Sequence, residues 1–325
     1  MAVREEPPQD IGEEPERILK LGKAIGEGGF GVVHKGWHQI KNRQVAIKII
    51  KDLENEEIIR NELEILEKVS GHENIITFHG AFYQKPNVRN SQNEGLWIAM
   101  EFCAGGSIYD LMETKKDYSL GERWISYICK GVLQGLCHLQ DLKMIHHDLK
   151  PENLMLTRSA DIKIIDFGLA TVGETSISVA GTATYMAPEV FACCQDNYVG
   201  YDNKADVWSL GIIAIEMAEG NAPHSELTEI KFIKRVIHGP PPKLTWTRWS
   251  VTFHDFIYQC LKKDPAKRPT AKQLLSHQFI AGMWDERDVK IQISKHLQKC
   301  KEGKVNFNPL LHQWKQYSLA SIYVQ

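Results

Sequence analysis

The apolar pattern of this sequence changes along its length. Between residues 18 and 50, β-branched and other apolar residues form short runs, broken by a glycine-rich turn at residues 26–31 and by a polar turn at residues 41–43. Such runs predict antiparallel strands. After Ser119, which has capping-box spacing with Glu122, apolar residues recur at helical intervals. We therefore expect a bilobal α+β protein, with a small β-rich lobe followed by a larger helical lobe.

Size and charge narrow the class of protein. The chain has 325 residues, of which 43% are apolar, so it can bury a large core. Lys and Arg together number 39, against 41 for Asp and Glu, and no long basic tract offers a footprint for phosphate backbones. Nucleic acid is therefore not expected as a partner.

Cysteine usage and the termini predict the compartment. The seven cysteines are an odd number and show no C-x-x-C spacing, which argues against a structural zinc site and favours a reducing cytoplasm. The first ten residues are polar and include adjacent prolines, and Ala2 stands where myristoylation requires glycine. The most apolar stretch, residues 207–218, is too short to span a bilayer and suits a buried central helix. We expect a cytoplasmic protein without membrane insertion, with a flexible leader at residues 1–16.

The glycine-rich turn suits phosphate binding. Gly26, Gly28 and Gly31 let the backbone come close to phosphate groups, with amides as donors and no Cβ in the way. A dinucleotide site would need a helix directly after the turn, but residues 32–37 predict a strand, so that alternative is rejected. In the following strand, Lys48 can supply a positive charge to phosphates. The alternative for Lys48 is an ordinary surface lysine.

A glutamate on the first predicted helix suits Lys48 as a partner. In residues 56–69, one stripe is formed by Ile58, Ile59, Ile65 and Leu66, and Glu62 lies four residues from both Ile58 and Leu66. Buried glutamates are uncommon and need a partner. We predict that Glu62 points inward and pairs with Lys48, against the alternative that it reaches water at the helix edge.

Two aspartates lie in short motifs with separate chemical tasks. Asp148, in His-His-Asp-Leu-Lys-Pro-Glu-Asn, is placed to accept the proton of an attacking hydroxyl, and Lys150 adds positive charge beside a transferred group. Asn153 and Asp166, the latter in Asp-Phe-Gly, can hold Mg²⁺ across phosphates. Each residue alone could be an ordinary loop residue. Five motifs in this order are typical of ATP-dependent phosphoryl transfer to proteins.

With these motifs, the chain resembles a eukaryotic serine/threonine protein kinase from residue 17 to about residue 280. The resemblance includes the Ala-Pro-Glu motif that ends at Glu189, the Asp-Val-Trp-Ser-Leu-Gly run that begins at Asp206, and Arg268 in Lys-Arg-Pro-Thr. It implies the bilobal protein kinase fold, use of ATP and Mg²⁺, and protein substrates. It also implies that Arg268 pairs with Glu189, and that Lys150 and Thr182 mark serine/threonine specificity.

Among kinases, the chain is most similar to the germinal centre branch of the sterile-20 group, and within it to the Nck-interacting kinases. Residues 96–103, 124–129, 214–220 and 285–292 carry this similarity. It implies a role in stress or MAP-kinase-type signalling, with Met100 as the gatekeeper before a hinge that meets adenine. The residues that it assigns to the nucleotide site are Ile25, Gly26, Glu27, Gly28, Gly29, Phe30, Gly31, Val32, Val33, Ala46, Lys48, Glu62, Met100, Glu101, Cys103 and Met155. Of these, Val33, Ala46 and Met155 would sandwich the base, although each equally suits plain core.

Two departures from the family bear on regulation. The Arg that normally precedes the catalytic Asp is His147 here, and residues 168–181 form a shorter segment than in relatives. In relatives that Arg receives the activation-loop phosphate, whereas imidazole offers less charge and no bidentate fork. We expect that this position holds a phosphate only weakly and that activity responds little to phosphorylation of Ser178, unless Lys35, Arg60 or another basic group replaces the missing charge. A pseudokinase scaffold that binds ATP but signals by interaction is the alternative function, and a small-molecule kinase is disfavoured by the Ala-Pro-Glu motif.

Residues 281–325 form a tail after the kinase-like region. Val289, Ile293 and Leu297 make an apolar stripe at helical spacing, which predicts a short amphipathic helix. This helix either docks on the domain or binds a partner. Docking is favoured because such stripes are usually part of a core.

Overall fold

A computed structural model describes residues 15–28, 31–51, 56–85, 93–193 and 200–303. Gly29 and Phe30 of the glycine-rich turn lie outside the described residues, as do most of the predicted leader and the end of the predicted tail. The strands are β1 (Leu19–Gly28), β2 (Gly31–His38), β3 (Arg43–Ile50), β4 (Phe78–Gln84), β5 (Gly95–Glu101), β6 (Gly106–Ser107), β7 (Met144–Ile145), β8 (Leu154–Leu156), β9 (Ile162–Ile164) and β10 (Thr171–Val172).

Helices dominate the second part of the chain, as the apolar spacing predicts. The helices are α1 (Pro15–Ile18), α2 (Glu56–Val69), α3 (Ile108–Glu113), α4 (Glu122–Asp141), α5 (Pro188–Ala192), α6 (Lys204–Glu219), α7 (Glu229–His238), α8 (Val251–Cys260), α9 (Ala271–Leu275), α10 (Gln278–Ala281) and α11 (Glu286–Lys301).

The first lobe is built on an antiparallel five-stranded sheet in the order β1-β2-β3-β5-β4. Alternate residues of a strand face opposite sides of the sheet. Val45, Ile47 and Ile49 of β3 are therefore buried on one face, in a small core with Phe82 and Trp97. The residues between them lie on the opposite face, which β3 presents to the second lobe.

Two helices form the centre of the second lobe. The predicted stripe of α4 is confirmed, because Ile125, Ile128, Val132, Leu136 and Leu139 are all buried. Helix α6 is buried on almost every side, as its continuous apolar run predicts. Within the described parts of the chain, no helix combines the length and hydrophobicity needed to cross a membrane.

The predicted capping box at the start of α4 is wrong. The helix begins after Gly121, which makes no side-chain cap hydrogen bond. The Ser119 hydroxyl instead donates to the Ala218 carbonyl at 2.6 Å, and the Glu122 carboxylate accepts from the Ser250 amide at 2.9 Å. Both side chains have tertiary partners that replace the local cap.

The tail contains a helix that docks on the second lobe. Val289, Ile293 and Leu297 of α11 are buried, so the apolar stripe is part of the core. Ion pairs flank this face, between Lys130 and Glu286 and between Lys290 and Asp161. Helix α11 therefore packs beside α4 and the turn before β9.

Candidate active site

Lys48 faces the second lobe because it alternates with the buried residues of β3. Its ammonium nitrogen lies 2.6 Å from Glu62 Oε1 on α2, which confirms the predicted pair. Burial opposes the charge on Lys48, but Glu62 and then Asp166 outweigh it and raise the pKa of Lys48 above its ordinary value. Lys48 is thus a fixed cation, held ready for an anionic ligand.

The glycine-rich turn is a hairpin between β1 and β2, in which Gly26 pairs with Val33 and Gly28 pairs with Gly31. Gly31 has a φ of +136°, and a Cβ there would lie 2.1 Å from the Ile49 carbonyl oxygen. No other residue type fits this conformation and this close approach. The hairpin therefore passes tightly over the strand that carries Lys48.

The residues assigned to adenine binding line the junction of the lobes. Ala46 pairs with Met100 across β3 and β5. Ile25, Val33 and Cys103 are buried, as is Met155 on β8 in the second lobe. Val32 and Glu27 pair with each other in the hairpin.

Glu101 of the predicted hinge uses its side chain elsewhere. Its Oε2 atom accepts from the Thr77 hydroxyl at 3.0 Å and pairs with the Lys163 ammonium at 2.9 Å. Its amide donates to the Thr77 carbonyl at 2.9 Å. The backbone carbonyl is therefore the group of Glu101 that suits a nucleobase.

Asp206 of α6 positions the loop that carries Asp148. Its two carboxylate oxygens accept the amides of His146 and His147 at 2.9 and 3.0 Å. His146 Nε2 lies 3.0 Å from the Ile165 carbonyl oxygen, which joins this loop to the residue before Asp166. A buried helix thus fixes two of the motif loops against each other.

The Asp148 carboxylate is held by groups on both of its oxygens. Oδ1 accepts from the Thr182 amide at 2.9 Å and from its hydroxyl at 2.7 Å, while Oδ2 lies 2.7 Å from Lys150 Nζ and 3.1 Å from Asn153 Nδ2. Burial opposes ionisation, but Lys150 and the hydrogen bonds from Lys150 and Thr182 hold the pKa of Asp148 below its ordinary value. Asp148 is therefore an oriented carboxylate at neutral pH.

Asn153 and Asp166 provide oxygen atoms that suit a divalent cation. The Asn153 amide nitrogen donates to the Asp148 carbonyl at 2.8 Å, so Asn153 Oδ1 is its atom suited to a metal. The Ile165 amide donates to the Asn153 carbonyl at 3.0 Å, which places Asp166 beside it. Mg²⁺ prefers one or two carboxylate or amide oxygens, completed by phosphates and water. The described residues contain no cluster of three or more His, Cys, Asp or Glu that could form an all-protein metal cage.

Glu152, which lies near Asp148, forms a second pair of acids with Glu216. The sequence indicates Glu152, beside the catalytic loop, as an acceptor for an upstream Arg of a substrate, but it does not indicate that Glu216 lies near it. Glu216 on α6 accepts from the Tyr185 hydroxyl at 2.8 Å, and burial raises the pKa of Glu216 to about 8. Burial also raises the pKa of Glu152, whose Oε2 is buried without a hydrogen-bond partner among the described residues. The Glu152 carboxyl contributes to the raised pKa of Glu216, after burial. The available signal was one acidic residue within an otherwise apolar helix.

Arg268 and Glu189 form the pair that the family resemblance implies. The guanidinium binds both carboxylate oxygens, at 2.5 and 3.0 Å, and both side chains are buried. Its remaining donors reach the carbonyls of Lys262 and Lys204, each at 2.9 Å. This bidentate pair fixes α5, which follows the segment that carries Thr182.

Comparisons with known proteins agree with this geometry. The protein kinase domain family model matches residues 19–280. The chain is 40% identical over 297 residues to Misshapen-like kinase 1 of Rattus norvegicus, which covers 90% of this chain and 22% of that protein. It is 40% identical over 298 residues to the serine/threonine-protein kinase mig-15 of Caenorhabditis elegans, a match that covers 90% of this chain and 27% of that protein. It is also 40% identical over 275 residues to the serine/threonine-protein kinase dst1 of Dictyostelium discoideum, a match that covers 82% of this chain and 35% of that protein.

The chain thus spans 22–35% of the length of these curated relatives. The family model nevertheless covers both lobes and every residue of the candidate active site, from the strand that begins at Leu19 to the helix that contains Ile280. On this basis the chain belongs to the protein kinase family, in the germinal centre branch of the sterile-20 group.

Proposed function

We propose that this protein is an ATP-dependent serine/threonine protein kinase, which transfers the γ-phosphate of ATP to hydroxyl groups of other proteins. The observation that carries this proposal is the oriented, ionised Asp148, which lies 2.7 Å from both Lys150 Nζ and the Thr182 hydroxyl. A carboxylate in this state can accept a proton, and the adjacent cation favours negative charge on a transferred group.

The reaction would divide the tasks among these residues. Lys48, held by Glu62, would position the phosphates of ATP. Asp166 and Asn153 would hold Mg²⁺, which neutralises phosphate charge when bound. Asp148 would orient the substrate hydroxyl and take its proton as the oxygen bonds to the γ-phosphorus and the bond to the leaving ADP oxygen breaks.

A pseudokinase scaffold is the less favoured function. The reason to consider it is His147, which stands in place of the usual Arg. Each side chain proposed to contact phosphate or metal is nevertheless present, namely Lys48, Asn153 and Asp166, together with Asp148. The similarity to sterile-20 kinases supports a role in MAP-kinase-type signalling and a cytoplasmic location.

A phosphate-transfer assay tests the proposal. The purified chain is incubated with ATP labelled on its γ-phosphate, Mg²⁺ and a generic acceptor protein, beside Asp148→Asn and Asp166→Asn variants. Loss of the general base should lower turnover on the order of 10²–10⁴-fold. Asp255→Asn changes an exposed aspartate on α8 and serves as the matched control, which should retain wild-type turnover. Transfer that is no greater for the wild type than for Asp148→Asn would refute catalysis.

We also propose that the kinase favours substrates with a basic residue on the N-terminal side of the target serine or threonine. Glu152 lies four residues after Asp148 and two residues before β8. It offers a buried oxygen without a partner among the described residues, and Glu216 lies within electrostatic range. A guanidinium would pair with both carboxyls and favour their ionised forms. The alternative is that Glu152 only braces the loop.

Matched peptides with Arg or Gln at each upstream position test this preference. A charged hydrogen bond of about 1.5–3 kcal/mol corresponds to a preference for Arg of roughly 10- to 150-fold in kcat/KM. Glu152→Gln and Glu216→Gln should each reduce it without changing kcat/KM for the Gln peptides. Equal rates for Arg and Gln peptides with the wild type would refute the basic-residue proposal.

A further inference from the structure

The His147 imidazole bridges two hydroxyl groups that lie far from it in sequence, one of a threonine and one of a tyrosine. Its Nε2 atom lies 2.7 Å from Thr171 Oγ1 on β10, and its Nδ1 atom lies 2.9 Å from the Tyr201 hydroxyl. The Tyr201 hydroxyl also donates to the Ser178 carbonyl. These four residues form a continuous chain of hydrogen bonds, which we call the His147 relay.

The contacts and the charge state of His147 together define the protons of this relay. A carbonyl oxygen only accepts, so the single Tyr201 hydroxyl proton goes to Ser178. His147 Nδ1 must then donate to the Tyr201 oxygen. Burial, then the neighbouring His146, lowers the pKa of His147 to about 4, so the imidazole is neutral at pH 7. In a neutral ring with its proton on Nδ1, Nε2 accepts from the Thr171 hydroxyl.

The relay ties the catalytic loop to the segment that follows the Asp-Phe-Gly motif. Thr171 lies near the start of this segment, and Ser178 lies towards its end. The Tyr201 backbone adds two further bonds, because its amide and carbonyl exchange hydrogen bonds with Ser176 at 2.9 and 2.8 Å. Gly181, at the end of the segment, packs so closely on His147 that a Cβ would lie 2.4 Å from the His147 carbonyl oxygen. The segment is therefore anchored to His147 and Tyr201 at several points along its length.

We infer that the His147 relay holds the segment in its catalytic arrangement without a phosphate group, and that Tyr201 and Thr171 are positioning residues for Asp148. This inference rests on the proposed kinase function. Each polar atom of the relay is paired by an uncharged group. Thr182, which binds Asp148, directly follows the anchored segment.

The basic side chains considered as substitutes for the missing Arg lie elsewhere. The Lys35 ammonium lies over the Phe102 ring at 4.9 Å from its centroid, beside the hinge. Arg60 is exposed on α2. In the described parts of the chain, the charged side chains next to His147 are the Asp206 carboxylate, which accepts the His147 amide, and the Asp148 carboxylate. Neither of these would attract a phosphate group.

The test removes the relay hydroxyls one at a time. Tyr201→Phe and Thr171→Val each delete one hydroxyl with little change of shape, in the full chain. Tyr127→Phe is the matched control, because the Tyr127 hydroxyl is also buried and donates to a carbonyl, that of Ala160 at 2.9 Å, which is not part of the relay. We measure kcat and KM for ATP, and hydrogen exchange of the amides of residues 171–181. Wild-type protein is measured before and after phosphatase treatment, with removal of phosphate checked by mass spectrometry.

We expect each relay variant to lower kcat by about two- to tenfold, as for a lost hydrogen bond, with KM for ATP within twofold of wild type. Exchange in residues 171–181 should become faster in both, and Tyr127→Phe should match wild type on every measure in that segment. Phosphatase treatment should leave wild-type kcat within twofold.

Two results would overturn the inference. One is a relay variant whose kcat and exchange are the same as those of Tyr127→Phe. The other is a fall in wild-type kcat of tenfold or more after phosphatase treatment, which would show that a phosphate holds the segment. If the wild type shows no transfer at all, the proposed kinase function fails, and the exchange rates alone still decide whether the relay anchors the segment.

Discussion

Removal of Arg268 should destabilise the second lobe strongly. The Arg268 side chain is 0% exposed and the Glu189 side chain 5%, so Arg268→Leu leaves a buried carboxylate without its cation. The Lys262 and Lys204 carbonyls also lose their donor. Breaking a buried pair from one side costs about 3–5 kcal/mol. At about 2–4 °C for each kcal/mol, the melting temperature should fall by roughly 6–20 °C.

A second change separates the charge from the loss of packing. In the double variant Arg268→Leu with Glu189→Gln, the carboxylate is absent, so the desolvation cost of an unpaired charge is removed. We expect the free energy of unfolding of the double variant to be about 1–3 kcal/mol higher than that of Arg268→Leu, which is the coupling typical of residues in contact. The exposed pair of Glu64 and Lys68, 4.0 Å apart on α2, provides the control. Lys68→Ala should lower the free energy of unfolding by no more than about 0.5 kcal/mol.

Calorimetric melting of the four proteins at pH 7 measures these differences. The reasoning is refuted if Arg268→Leu melts within 2 °C of Lys68→Ala. It is also refuted if the double variant is no more stable than Arg268→Leu, because the cost would then come from lost packing against Trp208, whose ring the guanidinium covers at 5.2 Å.

Three further changes test other parts of the molecule. Lys48→Met should abolish most phosphate transfer through lost phosphate positioning, measured as steady-state turnover, while folding is retained. Ile293→Ala in α11 removes a fully buried side chain and should cost about 2–5 kcal/mol in urea unfolding, whereas Ile291→Ala at an exposed position should cost little. Glu216 has its pKa raised to about 8 by burial, so the folded state binds the proton more tightly than the unfolded state. The stability of wild type relative to Glu216→Gln should therefore fall as pH rises from about 4.5 to 8, and a constant difference across urea titrations in that range would contradict this assignment.

Features that depend on local periodicity could be predicted from the sequence. A strand has a period of two, so the burial of Val45 and Ile47 requires that Lys48 face the other way. The helical period places Glu62 on the same face as Leu66, and its pairing with Lys48 follows from the cost of an unpaired buried charge. Neither inference required knowledge of where the strands and helices lie in space.

Features that depend on distant partners could not be predicted in this way. Ser119 and Glu122 have capping-box spacing, but their partners lie 99 and 128 residues away, and these tertiary bonds replace the local one. Glu216 interrupts an apolar run, but its pKa is raised by burial in the folded lobe and by Glu152, and its hydroxyl partner, Tyr185, lies 31 residues earlier. A sequence pattern shows that such residues are unusual without showing which atoms satisfy them.

His147 shows how this difference affects a functional conclusion. The sequence indicates a lost charge, whereas Tyr201, 54 residues away, supplies an uncharged replacement. An Arg at this buried position would be a charge that needs a phosphate to compensate its desolvation. A neutral histidine with both ring nitrogens paired has no such requirement. A histidine at this position therefore binds a phosphate less strongly than an Arg would, and it also avoids the desolvation cost of a buried charge that has no phosphate beside it. For this reason the segment can stay anchored in the absence of phosphate.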